Sequence, residues 1–221
     1  MKKFKTHSGF TLVEIAVVLV IIGLLLGGVL KGQELINQAR IKNTLSAIDS
    51  YGAAYYGYLD RYRIPPGDDP FASSRWSTMP NGNGDGVVAG GYCYNGYPRE
   101  SCYIWQHLRA AGFIKGNAED DTPSTLLDKH PFNGEYELLY GSYRIGGTSA
   151  GGTGQSRNAF WVALYRNVPI DVAAQLDAAA DDGRCQTGVV GPYETTCPGT
   201  DARTGYYGAT AASMGNLWFA K

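Results

Sequence analysis

The sequence predicts an α+β fold. One long N-terminal α-helix, membrane-spanning in its first half, packs on a small antiparallel β-sheet domain with loop-rich insertions. Three observations predict it. Residues 10–30 are almost wholly apolar, residues 31–62 place apolar side chains at three- and four-residue steps, and the rest alternates short β-like runs with Gly-rich turns. With 44% hydrophobic and 18% charged residues, the 221-residue chain is not disordered as a whole. Its 30 glycines follow no three-residue period, which excludes collagen. A net charge of −1 gives no basic field, so no nucleic-acid partner is inferred.

The first element begins after MKKFKTHSG, which carries Lys2, Lys3 and Lys5 and no acid. Residues 10–30, FTLVEIAVVLVIIGLLLGGVL, contain a single ionisable side chain, Glu14. As a helix they span about 31 Å, the thickness of a bilayer's hydrocarbon core. The lysines favour the cytoplasmic side, so the rest of the chain faces outward. A secretory signal peptide has a shorter apolar stretch and a small-residue cleavage site after it. A plain membrane anchor explains the apolar run but not Glu14, since an acid at that depth costs about 2.5–3.5 kcal/mol on insertion scales. Cleavage after Gly9 would make the Phe10 α-amino group a cation one helical turn from Glu14, on this chain or a packed neighbour.

Gly9-Phe10-Thr11-Leu12-Val13-Glu14 resembles the processing motif of type IV pilins and of the pseudopilins of type II secretion. The resemblance is close over residues 1–59 and general beyond. It implies that a prepilin peptidase cuts after Gly9 and methylates Phe10, and that Glu14 matches the family's invariant acid and acts in assembly. It further implies four segments: a leader (1–9), a transmembrane and assembly helix (10–30), its amphipathic continuation (31–62) and an extracytoplasmic globular domain (63–221). The implied partners are the membrane, further copies of the chain or related subunits, an inner-membrane platform protein and a cytoplasmic ATPase. The implied location is the inner membrane as a single-pass precursor, then a periplasmic or cell-surface filament. One departure stands out: many family members carry a helix-bending Pro near position 31, where this chain has Lys31, and its first Pro is Pro65.

Leu35, Ile41, Leu45, Ile48, Gly52, Tyr55 and Leu59 continue the helix as one apolar stripe until Pro65-Pro66-Gly67 stops it near Tyr62. Beyond that point a helix is expected over Tyr103–Phe113. Antiparallel strands are expected over Tyr136–Ile145 and Ala159–Arg166, a helix over Pro169–Ala180, and short strands over Gln186–Val190 and Asn216–Phe219. His107 is expected to point outward or to pack.

Asn81, Asn83 and Asp85 alternate with glycines and match the first half of a calcium loop, with Asp68 and Asp69 near enough in sequence to complete a shell if the loops meet. Asn stands where the first acid is usual, and Tyr92 where a bidentate Glu would be. The competing reading, a run of Asn-Gly and Asp-Gly turns, carries the greater weight. No other cofactor is indicated. Cys93, Cys102, Cys185 and Cys197 suit disulfides in an extracytoplasmic region. Of three connectivities, Cys93–Cys102 with Cys185–Cys197 is favoured because each pair encloses a short loop-rich stretch. Neither spacing suits zinc. Gly147-Thr148-Ser149-Ala150-Gly151 has the form of a nucleophile elbow, but no histidine follows His130 to complete a triad, so no enzyme is predicted.

Overall fold

A computed structural model describes residues 11–144, 156–183, 189–192 and 213–221. The chain divides into two compact units, Met1–Arg40 and Ile41–Lys221. Helix α1, Leu12–Tyr62, is continuous through both. No Pro interrupts it, and Arg63 ends it by taking a left-handed conformation (φ 61°) while its N–H bonds the Leu59 carbonyl.

In the first unit α1 is apolar all round from Leu12 to Leu30 apart from Glu14, and polar residues enter from Lys31. Its large side chains from Leu12 to Ile36 are between 46% and 91% exposed. The helix contains a window long and apolar enough to cross a membrane, none of it buried. Leu35, expected on the packed stripe, belongs to this exposed set at 55%.

In the second unit α1 buries Ile41, Thr44, Ile48, Tyr51, Gly52, Ala54, Tyr55 and Tyr58. The buried face is thus carried largely by tyrosines, more than the aliphatic pattern suggested, while Leu59 is only half-buried. Tyrosine suits this face because its ring packs, and at Tyr51 and Tyr58 the hydroxyl also finds an acceptor. The Tyr51 hydroxyl donates to Asp128 (2.7 Å) and the Tyr58 hydroxyl to Asp69 (2.5 Å). Tyr55 stacks on Phe160 at 4.1 Å, and Tyr51 meets Trp105 and Tyr136 edge-on, each at 5.3 Å.

The remaining helices are α2 (Ala72–Arg75), α3 (Glu100–Ala110), α4 (Pro123–Leu126) and α5 (Ile170–Ala180), with a 3-10 turn at Cys93–Asn95. Helix α3 starts three residues earlier than the pattern predicted and stops where Gly112 turns left-handed (φ 77°). The strands are β1 (Lys129–His130), β2 (Gly134–Arg144), β3 (Ser156–Pro169), β4 (Val190–Pro192) and β5 (Ser213–Ala220). They form one antiparallel sheet in the order β1-β2-β3-β5-β4. The two longest strands, β2 and β3, pair in unbroken register from Glu135↔Tyr165 to Arg144↔Ser156, as their branched and aromatic content predicts. The expected strand over Gln186–Val190 lies mostly outside the described residues.

Period-two alternation divides the sheet. Tyr136, Leu138, Phe160, Val162, Leu164, Leu217 and Phe219 join the core beside α1, α3 and α5. Leu139, Trp161, Ala163 and Trp218 form a second cluster on the other face, with Tyr92 against it. The segment before α3 therefore covers the second face, and the Cys93–Cys102 disulfide ties that segment to α3. This bond is one of the two expected; the other pair, Cys185 and Cys197, lies outside the described residues.

Candidate assembly and processing site

The described residues begin at Thr11, so Gly9 and Phe10 lie outside them. Thr11 precedes the first helical residue, Leu12, which makes it the N-cap. Glu14 stands three residues later. The Thr11 N–H and Thr11 hydroxyl each donate to Glu14 Oε2 at 2.8 Å, and the Glu14 N–H donates back to Thr11 Oγ1 at 3.3 Å. This is a capping box, in which two orphan amides at the helix start are satisfied reciprocally. Inside a bilayer, where no water replaces a lost partner, such satisfaction matters more than at an aqueous helix end.

The carboxylate is therefore held at the end of the apolar helix and already hydrogen-bonded within one chain. Its pairing with a Phe10 amine would be a second engagement added to the first. Thr11 is the residue that reading the sequence for charge alone missed. Its signal was present, since Thr-x-x-Glu before an apolar run is the sequence form of this box.

A family model, the prokaryotic N-terminal methylation motif, matches residues 4–30. The chain carries a prepilin-type N-terminus. That match is consistent with the type IV pilin and pseudopilin family, and together with the exposed apolar helix it fits a membrane-anchored precursor. No curated protein and no solved structure matches the chain.

The other predicted site, Asn81 to Gly86, does meet Asp68. The contact runs through backbone donors. Gly84 and Asp85 donate N–H to Asp68 Oδ1 at 2.7 and 3.2 Å, and Gly86 to Oδ2 at 2.8 Å. Successive amides curled around one carboxylate form an anion nest, here filled by the chain's own buried Asp68. Asn81, Asn83 and Asp85 each use a side-chain oxygen to accept a backbone N–H, from Ser73, Asp85 and Val87 respectively. Gly82 permits the crossing, because a Cβ there would lie 2.3 Å from the Asp68 backbone carbon. Asp69, in turn, accepts from Tyr58, the Phe71 N–H and Arg75.

The two described histidines are structural. His107, expected outward or packed, is fully buried: Nδ1 accepts the Gly67 N–H at 3.0 Å, which leaves Nε2 to donate to the Pro80 carbonyl at 2.8 Å. Burial lowers its pKa to about 4, so the ring is neutral at pH 7. His130 Nδ1 likewise accepts the Phe132 N–H. Among the described residues one further acidic group, Asp177, Asp181 and Asp182, brings its carboxylates within 4.8 Å of one another. Gly183 donates to Asp177 and Val189 to Asp181, so these acids tie down the chain leaving α5. Ser149 and its glycines lie outside the described residues.

Proposed function

We propose that the protein is a structural subunit of a type IV pilus-like filament, cleaved after Gly9 by a prepilin peptidase, methylated on Phe10 and assembled through α1. One observation carries this reading. A hydrogen-bonded acid sits at the head of the exposed, apolar first half of α1, within the matched methylation motif. Those apolar side chains are covered first by lipid and then by other copies of α1, while an inner-membrane platform protein and a cytoplasmic ATPase drive extraction. A secretion pseudopilus is built from the same elements. A monomeric, membrane-anchored binding module is the reading from another class.

N-terminal mass spectrometry of protein from the native envelope separates assembly from the last of these. The expected result is a chain beginning at Phe10 and carrying one added methyl group. A mature, functional chain that still begins with its lysine-bearing leader rejects the proposal.

The Asn81–Gly86 loop enters this proposal as metal-independent, because Asp68 supplies the anion that its amides enclose. The thermal unfolding midpoint is expected to be the same with a calcium chelator as with added calcium. A midpoint several degrees higher in calcium would restore the metal reading.

A further inference from the structure

Strand β3 carries a bulge between Tyr165 and Val168, where it pairs with β5. Two adjacent non-glycine residues there, Arg166 and Asn167, are left-handed, with φ of 68° and 55°. Such backbone costs on the order of 1 kcal/mol or more per residue and persists only where its surroundings enforce it. Asn167 is tied by its side-chain amide to the Asn133 carbonyl at 3.0 Å. The bulge sets the Arg166 guanidinium 3.8 Å from the centre of the Tyr94 ring, and Tyr94 itself packs on Tyr165 at 5.0 Å.

Beside it opens a recess of about 430 Å³ lined by Tyr94, Pro123, Ser124, Glu135 and Arg166. That volume lies in the range of small-molecule sites. Its walls are fixed from behind. Tyr94 follows disulfide-bonded Cys93, and both their N–H groups donate to Glu137. Helix α4 is held by the bond from Arg109 to the Leu126 carbonyl. Glu135 adds a carboxylate to the same wall.

The recess presents both signs of charge. A lone anion would meet Glu135 and a lone cation would meet Arg166. A ligand carrying both signs a few ångströms apart meets neither penalty, and the planar guanidinium suits a carboxylate. We propose that this recess binds a small zwitterion of the α-amino-acid class, with its carboxylate on Arg166 and its ammonium on Glu135. The site is independent of the assembly reading.

The test uses the full chain in detergent micelles and isothermal titration with L-serine, L-leucine and L-tyrosine, each beside its N-acetyl and carboxamide derivatives. At least one free amino acid is expected to bind. Removing either ligand charge, or substituting Arg166→Gln or Glu135→Gln, is expected to weaken it by about tenfold or more. Both variants lie outside the core, and an unchanged thermal midpoint shows that they fold. Three results would overturn the proposal: no heat of binding from any of the three at millimolar concentration, equal binding by the blocked derivatives, or binding of glucose or inorganic phosphate in place of the amino acids.

Discussion

Glu14→Gln is expected to abolish filament assembly as thoroughly as Glu14→Ala, while both variants are still cleaved after Gly9. The pair separates the capping contacts of Glu14 from the assembly role proposed for its charge. A capping box accepts Gln at its third helical position almost as well as Glu, so Gln preserves the bonds to the Thr11 N–H and hydroxyl. What Gln lacks is charge. In the proposed assembly an ammonium released at Phe10 would be buried between packed helices and would need an anion, and breaking a buried pair by removing one partner costs several kcal/mol. About 1.4 kcal/mol is already tenfold in an equilibrium. Sheared filament quantified by immunoblot should therefore fall by about tenfold or more in both variants. Thr11→Ala should do less, since it removes a cap worth about 1 kcal/mol and leaves the charge. Normal filament from Glu14→Gln would reduce Glu14 to a helix cap and remove its role in assembly.

The parts of the molecule legible in advance are those governed by local pattern. The helix from Leu12 to Tyr62 followed from an apolar run, a three- and four-residue period and the absence of Pro. The pairing of β2 with β3 followed from their branched and aromatic alternation. The first disulfide followed from loop length. What escaped is set by contacts between distant segments. Glu135, Glu137 and Leu139 alternate with Tyr136, Leu138 and Tyr140, so the two acids share one face of β2. That face is covered by the segment at Tyr92–Tyr94, which buries Glu137 completely. Burial pushes its carboxyl up to about 7, against the backbone bonds that favour the charged form. No spacing within β2 announces a cover supplied from forty residues upstream. The loop at Asn81–Gly86 shows the same limit. Nothing in its alternating oxygens announces that its backbone amides close on the Asp68 carboxylate.

Arg109→Met should lower the thermal unfolding midpoint of the full chain by about 6–12 °C, the shift expected for about 3 kcal/mol in a domain of this size. The side chain is almost entirely buried on α3, with its guanidinium carbon 5.7 Å from the Trp105 ring centre. Its nitrogens reach the carbonyls of Lys115 (3.2 Å), Asn117 (3.3 Å) and Leu126 (2.7 Å), together with Asp120 (3.3 Å) and Asp128 (3.0 Å). One planar cation thus pins the whole connection from α3 to β1. Asp128 also accepts the Tyr51 hydroxyl, so the same cluster fastens that connection to α1. Methionine keeps most of the volume and removes all five bonds. The two acids are 25% and 40% exposed and can recover water, which moderates the loss. The Leu126 carbonyl bond is buried, and an orphaned acceptor there costs about 1–3 kcal/mol. Arg109→Lys should recover little of the loss, because an ammonium is a point charge that cannot fork among acceptors on separate turns. Tyr51→Phe should cost about 1 kcal/mol, and with Arg109→Met it should be less than additive, since both act through Asp128. A midpoint within about 2 °C of the parent for Arg109→Met would show that the connection is held by its apolar contacts alone.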